Sequence, residues 1–232
     1  LISEIYVSRQ GEGILTGTPS WFVRTSGCNL RCWFCDTPFT SWEPQGKTLG
    51  LQEIVSALDR SQARHVVLTG GEPLVQKSVE PLTQLLQQGG FHITVETAGT
   101  VYRPVHCDLV SISPKLSNST PTPGRSDRTA AGKWAPRHAA TRHQPDVIRR
   151  LLAHYDYQLK FVVDQPQDLS EIESYLAEFP EIDRARVMLM PQGVDLDDLT
   201  SRKVWLEPYC QKQGFTYCPR MHIQWYGNRR GT

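Results

Sequence analysis

The chain has 232 residues, a formal net charge of +1, 39% hydrophobic residues and 21% charged residues. Those values describe an ordinary globular chain, long enough to bury a sizeable core within one domain, and nothing in them points to nucleic acid or a membrane surface. No apolar run approaches the length of a membrane span. The start at Leu1-Ile2-Ser3-Glu4 lacks the basic-then-apolar pattern of a secretory leader, so a cytoplasmic protein is expected, and a first residue that is not Met leaves room for residues upstream.

Along the chain, strand and helix patterns alternate. A short strand over residues 21–24 runs straight into a loop of cysteines. An amphipathic helix is predicted over 51–60, then a buried strand over 64–68 ending in Thr69-Gly70-Gly71-Glu72-Pro73. A helix over 79–88 is stopped by Gly89-Gly90. Strands follow at 92–95 and 108–112, the second ending in Ser113-Pro114-Lys115. A helix over 146–153, a strand over 158–163 and a helix over 168–178 come next, and Asp168 with Glu171 has the pattern of a capping box. A strand over 186–190 ends in Pro191-Gln192-Gly193, a long helix spans 196–213 before Gly214, and a last strand covers about 215–217 or extends to 224.

The alternation predicts a parallel sheet with right-handed crossovers. About six strand–helix units fit, fewer than the eight of a closed barrel, so the expected fold is α/β, a partial (open) β/α barrel, in a single domain over 1–232. In such folds sites gather at the carboxyl ends of strands, where the polar motifs of this chain fall. Residues 117–145 break the alternation with a run rich in Ser, Thr, Pro, Gly and Arg around Trp134, expected as a mobile surface loop or as a lid or partner surface.

Of six cysteines, Cys28, Cys32 and Cys35 form a C-x3-C-x2-C run, while Cys107, Cys210 and Cys218 are scattered and read as ordinary thiols. A disulfide framework would spread paired cysteines through a short secreted chain, so a metal centre in a reducing compartment fits better. Three thiolates on one tight loop can each hold an iron of a [4Fe–4S] cubane, leaving the fourth iron open to a small molecule. The amino and carboxylate groups of S-adenosylmethionine can chelate that iron, and the radical chemistry then belongs to the cofactor. A structural zinc site completed by a distant Cys or His would also use such a run, and so would three unrelated thiols. The Gly70-Gly71 pair after a strand suits close backbone approach to a ligand.

At these residues the chain resembles the radical S-adenosylmethionine superfamily, whose signature has an aromatic residue before the third cysteine, here Phe34, and a later Gly-Gly-Glu-Pro run. Within it the chain resembles the 7-carboxy-7-deazaguanine synthase family nearly end to end. The shared motifs are Gln10-Gly11-Glu12-Gly13, Phe22-Val23-Arg24, Gly27-Cys28-Asn29-Leu30, Cys35-Asp36-Thr37, Val95-Glu96-Thr97, Ser113-Pro114-Lys115, Pro191-Gln192-Gly193 and a closing stretch over 222–230 with Gly227-Asn228. The resemblance implies contraction of 6-carboxy-5,6,7,8-tetrahydropterin to 7-carboxy-7-deazaguanine with loss of ammonia, in 7-deazapurine (queuosine) biosynthesis. It also implies a hydrogen taken from the carbon bearing the carboxylate and later returned, a requirement for Mg2+, a homodimer, and an electron donor such as a flavodoxin or ferredoxin.

By the same resemblance Cys28, Cys32 and Cys35 ligate the cluster and Thr37 offers a hard oxygen to Mg2+. Arg9, Gln10, Gly11, Glu12, Arg24, Thr69, Glu96 and His222 match substrate positions. The planar guanidinium of Arg24 suits the substrate carboxylate. Gly71, Glu72, Ser113, Pro114, Lys115 and Gln192 match S-adenosylmethionine positions, and no side chain is assigned as catalytic because the radical arises at the cluster-bound cofactor. Plainer roles exist for several of these residues: a turn for Gln10 to Gly13 and for Thr37, a surface ion pair for Arg24, a solvated charge for Lys115, a structural role for His222. The insertion and the basic tail Asn228-Arg229-Arg230-Gly231-Thr232 receive no assignment. The rival functions are an activase that places a glycyl radical on a partner protein, and a non-catalytic iron–sulfur or zinc protein supported only by the basic stretch over 125–150.

Overall fold

The computed structural model describes residues 1–124 and 131–232. Among these described residues eight strands form one sheet in sequence order: β1 (Ile2–Arg9), β2 (Pro19–Thr25), β3 (His65–Gly70), β4 (His92–Thr97), β5 (Leu109–Ile112), β6 (Tyr157–Val163), β7 (Val187–Pro191) and β8 (Thr216–Tyr217). β1 is antiparallel to β2, and every later pairing is parallel. The expected partial barrel is therefore present, but with eight strands rather than about six. β1 went unpredicted because it precedes the first helix-linked unit and pairs antiparallel at the edge, where its residues are mostly half-buried and show no clean apolar–polar alternation.

The helices are α1 (Pro38–Ser41), α2 (Leu51–Ser56), α3 (Val79–Gln88), α4 (Ala131–Thr141), α5 (Pro145–His154), α6 (Asp168–Glu178), α7 (Leu196–Gln213) and α8 (Met221–Tyr226). Alternation along the strands sorts side chains to two faces. Val23, Leu68, Val95, Ile112, Leu159, Phe161 and Leu189 point outward into one core with Leu82, Leu86, Leu151, Leu176, Phe179 and Leu206 of the helices. Each such fully buried side chain contributes about 1.5–3 kcal/mol. The opposite, concave face carries Arg24, Thr69, Glu96 and Lys160, together with a small apolar patch of Met188, Met190 and Cys218.

Four local expectations are corrected. α2 ends at Ser56 rather than at residue 60. Residues 221–226 are helix α8, not an extension of the last strand. Asp168 and Glu171 form no capping box: Asp168 accepts from the Asp164 and Gln165 amides (2.8 and 3.0 Å), and Glu171 accepts from the Ser117 amide (2.9 Å). The segment expected as a loop over 117–145 holds a 3-10 turn, Ser117–Ser119, and the helix α4, whose His138 is fully buried. Pro136 inside α4, with Gly132 and Thr141, hid this helix from a propensity argument. Among the described residues no helix is long and apolar enough to cross a membrane.

Candidate active site

β2 delivers the chain to the cysteine loop at Gly27. The Gly27 amide donates to the Thr40 carbonyl (2.8 Å), and the Gly27 carbonyl accepts from the Glu72 amide (2.9 Å). The root of the loop is thus tied both to α1 and to the turn after β3. This junction explains the glycine pair. Gly70 has φ +127°, and a Cβ on Gly71 would stand 2.1 Å from the Gly27 carbonyl oxygen and 2.8 Å from that of Thr40. Glu72 is fully buried; its carboxylate accepts from the Leu74 amide (3.1 Å), the Thr97 hydroxyl (2.8 Å) and the Ala98 amide (2.8 Å). Burial raises the Glu72 pKa against the pull of those donors. Its side chain holds the turn to the end of β4.

Cys32 is buried and Cys28 and Cys35 are partly so. Burial is the main cause that pushes all three thiols up, Cys28 to about 12. Cys28 and Cys35 add to the rise at Cys32, and Cys35 adds to that at Cys28, so thiolates here repel one another unless cations intervene. Iron supplies that charge and holds cysteines deprotonated. Among the described residues no three His, Cys, Asp or Glu side chains converge on a single metal ion. Cluster ligation asks something different, one soft sulfur for each of three irons, and the donor set on this loop fits it. The Cys35 sulfur lies 3.2 Å from the Ser41 hydroxyl and 3.9 Å from that of Thr37, which the Thr40 hydroxyl also approaches at 3.3 Å.

On the concave face the charges join into one network. Lys160, with 4% of its side chain exposed, donates to Glu12 and to Glu96, each at 3.0 Å. Thr69 donates to the other oxygen of Glu96 (2.8 Å). Arg220 donates to Glu12 (3.1 Å), to the Gly193 carbonyl (2.5 Å) and to Asp36. Burial opposes the Glu12 charge, but Lys160 and Arg220 outweigh it and hold the carboxyl well below the usual carboxylate range. Burial likewise opposes the Lys160 charge, and Glu96 and Glu12 reverse the sign and hold its ammonium above its ordinary range. Burial lowers the His222 pKa against the pull of Glu12, which favours the neutral imidazole; its Nδ1 lies 3.9 Å from Glu12. The connection from β1 to β2 carries Glu12 there by reaching across to the end of the chain. The Met221 amide donates to the Gly11 carbonyl (2.9 Å), and the Ile14 amide donates to Gln158 (2.9 Å).

The structure thus brings together Glu12, Thr69, Glu96 and His222, all expected, with Lys160, Arg220 and Asp36, which sequence reasoning missed. Gly11 packs against the His222 ring, where a Cβ would stand 2.5 Å from Nδ1. Arg24 lies on the same face but is paired with Glu4 (2.9 Å) and the Tyr6 hydroxyl (2.7 Å). Arg230 of the tail reaches the other oxygen of Glu4 (2.5 Å). Lys115 folds back on the Ser113 carbonyl and hydroxyl (2.7 and 2.6 Å), Pro114 between them is buried, and the Gln192 amide donates to the Val163 carbonyl (2.8 Å). Two residues stand apart. Arg9 is exposed, its guanidinium 4.4 Å from the Trp225 ring, and Gln10 turns to the Ser20 hydroxyl (2.9 Å). An open cavity of about 780 Å³ near α8, lined by residues such as Val194, Trp225 and Arg229, contains neither the cysteines nor the network.

Residues 22–116 match the family model described as the radical SAM superfamily. A protein of Rhodopirellula baltica named 7-carboxy-7-deazaguanine synthase is 48% identical over 100% of this chain and 88% of its own length. The chain belongs to the 7-carboxy-7-deazaguanine synthase family. A namesake from Halobacterium salinarum is 46% identical over 96% of this chain and 88% of its own. The crystal structure of QueE from Escherichia coli superposes with a TM-score of 0.67 at 26% identity, covering 95% of this chain and 93% of that one. Membership makes this a radical S-adenosylmethionine enzyme, with a [4Fe–4S] cluster and S-adenosylmethionine as its cofactors. Of the three missed residues of the network, Asp36 lay inside the Cys35-Asp36-Thr37 motif, whereas the other two carried no usable signal. Lys160 and Arg220 are isolated cations in apolar or mixed stretches, and only their positions on β6 and just past β8 bring them to Glu12.

Proposed function

We propose that this chain converts 6-carboxy-5,6,7,8-tetrahydropterin to 7-carboxy-7-deazaguanine with release of ammonia. One observation carries the proposal: the ion-pair network lies beside the cysteine loop, joined to it by the Arg220–Asp36 pair, in a chain that matches the synthases over its whole length. Cys28, Cys32 and Cys35 would hold the cluster, which with S-adenosylmethionine would supply reversible hydrogen-atom abstraction at the substrate.

The chain's own residues bind and orient. A pterin ring offers adjacent amide and amine N–H groups, which a carboxylate accepts as a pair, and Glu12 and Glu96 are the carboxylates available. The Glu12 charge is fixed by Lys160 and Arg220, so Glu12 accepts without first losing a proton, and Lys160 holds Glu96 beside it. Arg24 suits the substrate carboxylate, on exchanging Glu4 for it. His222 and Thr69 supply further donors and acceptors, and Gly11 keeps the His222 ring in place. The backbone at Gly71, the turn braced by Glu72, and Ser113, Pro114, Lys115 and Gln192 suit the polar groups of S-adenosylmethionine. Thr37 suits Mg2+, which keeps few protein ligands and takes a substrate oxygen. Arg31 and Arg137 gather about Trp134 beside the cysteines and favour an acidic electron donor such as a flavodoxin or ferredoxin. Homodimerisation is proposed from the family resemblance.

The test supplies anaerobically reconstituted, reduced enzyme with S-adenosylmethionine, Mg2+ and one of two pterins, with or without the 6-carboxylate. The proposal expects a 7-deazapurine from the carboxylated pterin alone, and less of it without Mg2+. Equal turnover of both pterins, or of neither, would overturn it.

A further inference from the structure

Helix α4 and the turn before it lie against the cysteine loop, and the contacts are specific. The Arg31 amide donates to Nδ1 of His138 (3.1 Å). The Trp33 amide donates to the Ser119 carbonyl (3.2 Å), and the Trp33 indole N–H donates to the Asn118 carbonyl (2.7 Å). The Arg31 guanidinium lies 4.2 Å from the centre of the Trp134 ring. The two pinned amides flank Cys32, whose own carbonyl accepts from the Trp42 indole (3.0 Å).

The same turn is anchored to the barrel. Asn118 donates to the Val162 carbonyl of β6 (3.1 Å) and to Asp168 of α6 (2.8 Å). Ser117 donates to Glu171 of α6, and Arg142 donates to the Lys115 carbonyl (3.0 Å). The loop is therefore held through a rigid strand and helix rather than through solvent-exposed chain.

His138 sits between the two halves with no exposed surface. Its protonation pattern follows from its neighbours. The Arg31 amide can only donate, so Nδ1 must be the bare nitrogen, and Nε2 carries the hydrogen. Nε2 then donates to the Ser119 hydroxyl (2.9 Å), which donates to the Leu116 carbonyl (2.6 Å). Every hydrogen in the relay has one acceptor, so the imidazole has one orientation.

We propose that the turn Ser117–Ser119 and helix α4 form a clamp that fixes the geometry of the cysteine loop, with His138 as its positioning residue. The clamp presents the Cys32 sulfur in one orientation before iron arrives and keeps it so during turnover. Its role rests on the cluster reading of this loop, but its existence does not, since the contacts are made by the protein alone.

Three substitutions separate positioning from mere filling. In His138→Asn the side-chain oxygen falls near the position of Nδ1 and can still accept from Arg31. In His138→Gln the amide reaches towards Ser119 instead. His138→Leu keeps volume and removes both bonds. Hydrogen exchange of the apoprotein, resolved at residues 31–33 and at β6, is measured first. The Gln and Leu variants should exchange at least tenfold faster than the parent at 31–33 with β6 unchanged, while Asn stays within about threefold. Reconstituted and reduced samples are then compared by electron paramagnetic resonance and iron content. The Gln and Leu variants should show shifted g values, and Asn should match the parent. If exchange and g values are alike in the parent, Gln and Leu variants, the clamp is refuted. Faster exchange everywhere in all three variants, Asn included, would make His138 a core residue only and equally refute positioning. Should the Leu variant fail to fold, the Asn–Gln contrast decides. A parent that shows the predicted exchange but never holds a cluster would sink the cluster reading and leave the clamp standing.

Discussion

Replacing Lys160 with Met tests whether the charges on the concave face act as one network. The ammonium is almost wholly buried and equidistant, at 3.0 Å, from Glu12 and Glu96. Removing one member of a buried ion pair costs about 3–5 kcal/mol, because the remaining charge stays desolvated. Here Glu12 keeps Arg220, and Glu96, with 32% of its side chain exposed, can recover water. The loss should thus fall at the low end, about 3 kcal/mol, which in a chain of this size lowers the melting temperature by about 6–12 °C. Urea unfolding of the apoprotein reads it directly. Adding Glu12→Gln to Lys160→Met removes the orphaned charge, so the double variant should lose less than the two single losses added, by about 1 kcal/mol or more. The pH range follows from the shifts. Lys160 is raised above 10.5, so its contribution is full below that pH and is lost as pH rises through the folded value. Glu12 is depressed below 4.5, so its contribution is full above that pH and is lost as pH falls through the folded value. Between about pH 5 and pH 10 the penalty should be flat. A loss under about 0.5 kcal/mol, or strict additivity with Glu12→Gln, would refute the network.

Three further outcomes follow from the geometry. Gly71→Ala places a Cβ against two backbone carbonyl oxygens, so the apoprotein should unfold at lower urea and take up little iron; a variant that reconstitutes like the parent would show that the junction yields. His138 is held neutral by burial, its pKa lowered from 6.5 to about 4. Its neutral-state contribution, up to about 3 kcal/mol, should be complete above pH 6.5 and fade as pH falls towards 4; urea midpoints across that range should fall less steeply in His138→Asn, and equal slopes would contradict this. Arg220→Met should raise the KM for the pterin at least tenfold and leave iron content unchanged, because Arg220 holds Glu12 and Asp36 but no cysteine; an unaltered KM would remove Arg220 from the substrate site.

Much of the fold was legible because each parallel strand is a buried apolar run ended by a polar or glycine-rich turn. The strands at 92–97 and 157–163 and the helices at 168–178 and 196–213 were placed within a residue or two on that ground. β1 and α4 were not, since an edge strand lacks full burial and a proline interrupts the helix. The cysteine loop was legible because three soft ligands at that spacing have few other uses. The charged network was only half legible. Glu12, Glu96 and Thr69 came from family motifs, whereas Lys160 meets Glu12 across 148 positions of sequence and Arg220 meets Asp36 across 184, which no local pattern encodes. Glu72 shows the reverse: its motif was recognised, and the structure gives its side chain to Thr97 and Ala98.

The most direct test of the central claim is the mass balance of one anaerobic turnover experiment without any partner polypeptide substrate. Reduced, reconstituted enzyme, S-adenosylmethionine, Mg2+ and 6-carboxy-5,6,7,8-tetrahydropterin should yield 7-carboxy-7-deazaguanine and ammonia in equal amounts, with S-adenosylmethionine conserved and no product from Cys32→Ala. Accumulation of 5′-deoxyadenosine beside untouched pterin would contradict the assigned substrate and bring forward an activase of the same superfamily.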